Sequence, residues 1–162
     1  MGLILPSDGY LGINERIRRG ETTIGISVPI TSTKDDLERL FSADPAYNFV
    51  SIDSQHNPLD ETRLQALCMA ASELAIPVHF RIKHTRYAFQ VGNWFDLGPT
   101  MIEVPQSETE ETVRDAVDFT YYRPRGKRSW GGTARVGSAE RPAIDAYTAW
   151  WNDFGVLWIQ VE

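Results

Sequence analysis

Five short runs rich in β-branched and apolar residues alternate with helical segments along this chain, and that alternation constrains its fold more than any other feature. The runs fall at 22–30, 49–53, 78–82, 101–105 and 156–162. Between the first two, 33–41 opens on Thr33, a good N-cap, with Asp35 and Asp36 in its first turn. Residues 60–75 set Leu64, Leu67, Ala71 and Leu74 on one helical stripe. Segments 85–95, 108–121 and 143–154 complete the helical set, and a short basic helix at 13–19, closed by Gly20, precedes the first strand. Strands separated by helical crossovers form a parallel sheet with right-handed connections. An open doubly wound sheet and a (βα)8 barrel both satisfy this pattern. Against the first, Ile30-Thr31-Ser32-Thr33 carries no glycine for a phosphate-binding turn. Against a complete version of the second, such barrels take ~250 residues and eight strands.

With 162 residues, 42% of them hydrophobic and 23% charged, the chain reads as one ordinary globular domain. A net charge of −6 argues against a nucleic-acid-binding surface. The single cysteine, Cys68, excludes an internal disulfide framework and sits in an apolar helical stretch, as a buried structural thiol does. No apolar run reaches the length of a membrane span, residues 1–12 lack the features of a signal peptide, and Pro6 stands where a myristoylation motif wants Ser or Thr. The expected location is the cytoplasm.

Ligands of parallel α/β folds bind at the C-terminal ends of strands, and four clusters fall at or beyond such ends. Asp53-Ser54-Gln55-His56 follows the second strand, and a histidine there titrates near neutrality, as a general base must; otherwise it is a loop histidine bonded locally. In Val78-His79-Phe80-Arg81-Ile82, alternation puts His79 and Arg81 on one face. An arginine inside a sheet needs a partner, either a substrate anion or a structural carboxylate, for which Glu103 on the next strand is the candidate. His79 reads as a satisfied interior histidine. The loop Arg123-Pro124-Arg125-Gly126-Lys127-Arg128-Ser129-Trp130-Gly131-Gly132 carries four cations and no acid, with glycines that expose backbone N–H groups, suiting either a carboxylate or phosphate ligand or plain solvation. On the last strand, Leu157, Ile159 and Val161 face one way, while Gln160 and Glu162 bring an amide and a carboxylate to the other face. A carboxylate at such a tip suits a hard divalent cation.

Taken in order, these stretches resemble the HpcH/HpaI aldolase/citrate lyase family of class II pyruvate aldolases. The motifs are Arg18-Arg19-Gly20-Glu21-Thr22-Thr23-Ile24-Gly25, Val50-Ser51-Ile52-Asp53-Ser54-Gln55-His56, Pro77-Val78-His79-Phe80-Arg81, Asp96-Leu97-Gly98, Ile102-Glu103-Val104-Pro105, Pro124-Arg125-Gly126-Lys127-Arg128-Ser129 and Ile159-Gln160-Val161-Glu162. The resemblance implies an α/β fold: an incomplete (βα)8 TIM barrel, its first five parallel strands and helices forming a single domain over 1–162, truncated after the fifth strand.

It further implies a carbon–carbon lyase that cleaves a 4-hydroxy-2-oxo acid to pyruvate and an aldehyde through a metal-bound enolate. By this likeness His56 is the general base, Arg81 stabilises the enolate oxygen and Asp96 raises the basicity of the histidine. Gln160 contacts substrate, and Glu162 is the first protein ligand of a divalent ion (Mg2+, Mn2+ or Co2+); beyond the likeness, the basic loop around Arg128 is expected to close over the substrate. The implied partners are a small 2-oxo acid and, for the full-length enzyme, further copies of itself. There are two departures. Gln55 stands where many members have Glu, and the second metal-ligating carboxylate would lie on a following strand. The alternative reading is an inactive half-barrel that binds a partner chain or a small anion.

Overall fold

The computed structural model describes residues 12–132 and 134–162; the leader 1–11, with the readings placed on it, and Thr133 lie outside the described residues. Five strands form one parallel sheet: β1 (Ile24–Ser27), β2 (Tyr47–Asp53), β3 (Val78–Arg81), β4 (Met101–Val104) and β5 (Val156–Ile159). Their spatial order is their sequence order. A doubly wound sheet would put the first strand at its centre; here β1 lies at an edge, and each strand adds beside its predecessor, as in a barrel wall.

The helices are α1 (Ile13–Arg18), α2 (Lys34–Ala43), α3 (Glu61–Glu73), α4 (Val91–Phe95), α5 (Glu110–Thr120) and α6 (Ile144–Phe154). Local chemistry sets their starts. Thr33 caps α2 in a reciprocal capping box with Asp36, and Asp60 and Thr109 accept the N3 backbone N–H of α3 and α5. Gly20, at φ 72°, turns the chain after α1 as its position in the sequence implies. The segment expected as one helix over 85–95 is instead a 3-10 helix at Thr85–Gln90 running into α4. His84 caps this 3-10 turn by accepting from the Arg86 N–H.

Strand alternation divides the side chains between two environments. Val50, Ile52, Val78, Phe80, Ile102 and Val104 face the helices and join Leu37, Leu64, Leu67, Phe95 and Trp151 in the main core. Each of the fully buried aliphatic side chains contributes roughly 1.5–3 kcal/mol. Cys68 belongs to this core, and burial pushes its thiol pKa far up, so it is a packing residue.

The opposite face is smaller and graded. At its base Phe49, Met101 and Val156 pack with Ile13 of α1 and with Trp158. Above them it becomes polar: Ser51 and His79 occupy its middle, and Asp53, Arg81 and Glu103, paired in register, its upper end. The fold thus seals one end of the inner face with α1 and leaves polar groups at the other.

Candidate active site

The upper end is built on register. Asp53, the last residue of β2, stands directly opposite Arg81, the last residue of β3. Arg81 donates from Nε to Asp53 Oδ1 at 2.9 Å, and its Nη2 lies 2.8 Å from Oδ2, a two-point grip. The Gln55 backbone N–H also donates to Asp53 Oδ1 at 2.9 Å. Burial alone would raise the Asp53 pKa, but the Arg81 and Gln55 hydrogen bonds and the charges of Arg81 and His56 outweigh it and hold the carboxyl below its ordinary value. Arg81 is held above its ordinary value by its hydrogen bond to Asp53, against burial, with the charges of Asp53, Glu103 and Glu162 assisting.

The loop carrying His56 is tied down one residue after β2. Ser54 donates from both its backbone N–H (3.0 Å) and its Oγ (2.7 Å) to the Arg81 carbonyl. His56 itself is exposed beside Asp53, where solvent and substrate reach it.

On the far side of the rim, Gln160 Nε2 donates to Glu162 Oε1 at 2.8 Å, and Gln106 Nε2 reaches Oε2 at 3.5 Å. Gln55 Nε2 donates to Gln106 Oε1 at 3.2 Å, so a chain of amides links the β2 and β5 ends. Gln106, just after Pro105, adopts φ 47°, a left-handed conformation that a non-glycine residue holds at a cost of about 1 kcal/mol or more. The structure therefore brings His56, Arg81, Gln160 and Glu162 to one rim.

Two residues expected there are elsewhere. Asp96 ends α4 on the approach to β4, at the N-terminal end of the sheet, whereas His56 follows the C-terminal end of β2. Asp96 pairs with Arg128 Nη2 at 2.7 Å, so Asp53, not Asp96, is the carboxylate beside His56. Arg128 is likewise no exposed lid residue. Its side chain is 1% exposed, with the guanidinium 4.4 Å above the Trp151 ring and 5.2 Å from that of Phe95. Aromatic faces of α4 and α6 hold it in the helix layer, and a sequence pattern cannot foresee that stacking.

The expected Arg81–Glu103 pair is also replaced. Glu103 Oε2 lies 3.1 Å from His79 Nε2, as an electrostatic contact without hydrogen-bond alignment. His79 Nδ1 bonds Ser51 Oγ at 2.8 Å, and its ring lies 4.6 Å from that of Trp158. His79 is thus an interior histidine, as its place in the strand implies. Asp53 was within reach of sequence reasoning through its strand parity. Gln106 had a weaker signal, an amide one residue beyond Pro105.

A hard divalent ion needs oxygen donors. Among the described residues no three His, Cys, Asp or Glu side chains cluster around one point. The rim nevertheless offers the Glu162 carboxylate beside the Gln160 amide, whose Oε1 is buried without a hydrogen-bond partner. Such a set fits a cation of this kind with water or substrate completing its shell.

No family model matches the chain. It is 31% identical over 122 residues to a hydroxypyruvate/pyruvate aldolase of Deinococcus radiodurans, a match covering 74% of this chain and 43% of that protein. The HpcH/HpaI aldolase of Desulfitobacterium hafniense superposes with a TM-score of 0.72 at 21% identity, over 93% of this chain and 57% of its own. An HpcH/HpaI aldolase/citrate lyase family protein of Burkholderia cenocepacia gives 0.72 at 24% identity, over 93% and 59%. The chain spans about half the length of these relatives, and so a part of their barrel. Among the described residues no helix is long and apolar enough to cross a membrane. By fold and by sequence, this chain's resemblance is to the HpcH/HpaI aldolase/citrate lyase family of barrel aldolases.

Proposed function

We propose that the protein is a divalent-metal-dependent carbon–carbon lyase that cleaves a 4-hydroxy-2-oxo acid to pyruvate and an aldehyde. The observation carrying this reading is the convergence at one rim of an exposed histidine beside a low-pKa carboxylate, an arginine, and a carboxylate held by amides.

Cleavage breaks the C3–C4 bond of the substrate. The proton of the C4 hydroxyl leaves, and the bonding electrons pass to C3 and are delocalised onto the 2-oxo oxygen as an enolate. His56 takes the hydroxyl proton, directly or through one water, and the neighbouring Asp53 carboxylate stabilises the imidazolium that results. Two of the Arg81 nitrogens are anchored on Asp53, which fixes the plane of the guanidinium and leaves Nη1 for the developing oxyanion or the substrate carboxylate. Returning the proton to C3 gives pyruvate. Glu162, with the Gln160 amide oxygen, would hold Mg2+, Mn2+ or Co2+, which supplies Lewis-acid polarisation of the 2-oxo acid. Gln106 and Gln160 keep the Glu162 carboxylate turned toward the rim.

The test is pyruvate release from a 4-hydroxy-2-oxo acid, followed with lactate dehydrogenase and NADH. Turnover should require added Mg2+, Mn2+ or Co2+, stop on chelation, and fall roughly 10²–10⁴-fold in His56→Ala. Absent turnover with each metal would overturn the reading in favour of a non-catalytic half-barrel, and turnover indifferent to His56 would overturn its assignment as the general base.

A further inference from the structure

A second charged cluster lies away from the rim, and its hydrogen bonds do not balance. Arg128 and Arg135, each 6% exposed, both lie on the loop between α5 and α6. Arg128 stacks on Trp151, and Arg135 sits 3.8 Å above Trp130 and 4.9 Å from the Tyr147 ring. Asp96 feels both guanidiniums but hydrogen-bonds only Arg128 Nη2. Nε and Nη1 of both arginines are buried with no hydrogen-bond partner, and so is the hydroxyl of Tyr122, whose ring lies 5.1 Å from the Arg128 guanidinium.

Stacking satisfies the faces of a guanidinium, but its N–H bonds lie in the plane and point past the rings. Two buried guanidiniums against one carboxylate also leave a positive charge that water can solvate but not neutralise. Of the remaining charged groups on this loop and α6, Lys127 is paired with Asp118, Arg125 lies over Tyr121, Asp153 is 3.8 Å from Arg18, Arg123, Glu140 and Asp145 are exposed, and Arg141 adds a further cation 4.1 Å above Trp150. The missing component is a small acceptor-only group of negative charge.

We propose that Arg128, Arg135 and the Tyr122 hydroxyl form a binding site for one small oxoanion, of the carboxylate or phosphate class, separate from the rim. Bound there, the anion ties the loop between α5 and α6 to the aromatic face of α6.

Isothermal titration of the protein with inorganic phosphate, and separately with acetate, tests this at constant ionic strength set with chloride. At least one should bind saturably at one site per chain, raise Tm, and change the fluorescence of Trp130 and Trp151. Arg135→Gln should weaken that binding at least tenfold, and Arg135→Lys should do so too, because an ammonium lacks the planar donor set. Arg81→Gln should leave it unchanged, which separates this site from the rim and from the proposed lyase activity. If Arg135→Gln fails to fold, the wild-type titration and the lysine variant decide. Absence of saturable binding by both anions, an equal response to chloride, or full affinity in Arg135→Lys would overturn the proposal.

Discussion

Asp53–Arg81 and Asp96–Arg128 are both aspartate–arginine pairs closed at 2.7–2.9 Å, yet their surroundings give them opposite properties. At the rim, the arginine is about a quarter exposed, holds its carboxylate at two points, and leaves the Asp53 pKa lowered. In the helix layer Arg128 is almost fully buried and gives Asp96 one hydrogen bond. Burial dominates there and pushes the Asp96 pKa up against the pull of Arg128 and Arg135. The lesson is that an ion pair's role follows from its access to water. A half-solvated pair can exchange a partner for substrate, whereas a buried pair holds packing together and is costly to break.

The largest effect that would break this comparison concerns stability. Asp96→Asn strips two buried guanidiniums of the one carboxylate close to both among the described residues and should cost roughly 3–5 kcal/mol. Asp53→Asn should cost only about 1 kcal/mol, since Arg81 retains water. Urea midpoints of the two variants measure the contrast, and equal losses would mean that burial is not what separates the pairs.

Next comes turnover, where the order reverses. Arg81→Lys keeps the charge but loses the planar fork, and pyruvate release should fall about 10²–10³-fold. The variant should unfold at nearly the wild-type urea concentration. A normal kcat would make Arg81 a structural residue.

The acid limb of stability sharpens the comparison further. A carboxyl with a lowered native pKa stabilises the fold fully above its unfolded value of about 3.9, and that contribution disappears as pH falls through the native value. The stability difference between the wild type and Asp53→Asn should therefore be constant from pH 7 to about 5 and shrink below about 4. A difference that grows on acidification would contradict the pairing.

The smallest effect is expected at Gln106. Gln106→Ala should leave stability within about 1 kcal/mol, because the strained φ remains and an exposed amide is lost. Its mark should be a raised metal requirement, read as a several-fold higher Mg2+ concentration for half-maximal pyruvate release. An unchanged requirement would remove Gln106 from the positioning of Glu162.

Much of the fold was legible because its signals are local. The β–α alternation, the Thr33 cap with Asp36 and the Leu64–Leu67–Ala71 stripe of α3 each depend on residues close in sequence. The grouping of His56, Arg81, Gln160 and Glu162 at strand ends follows from parity and from parallel direction, which fixes where those ends gather. The break at 85–95 was less legible, because a 3-10 turn and an α-helix share much of the same local pattern.

Sequence by itself therefore determined the class of the fold, the face on which each strand residue lies, and the set of groups available at the rim. Only tertiary structure decided which partner each charged group takes. Arg81 is opposite both Asp53 and Glu103 in register, and parity cannot choose between them; in the folded protein it grips Asp53, while Glu103 lies against His79. Asp96 and Arg128 are separated by 32 residues and a helix, and meet because α4 and α6 present Phe95 and Trp151 as stacking faces for the guanidinium. Pairing energies depend on distance and dielectric, and both are set by how the layers pack.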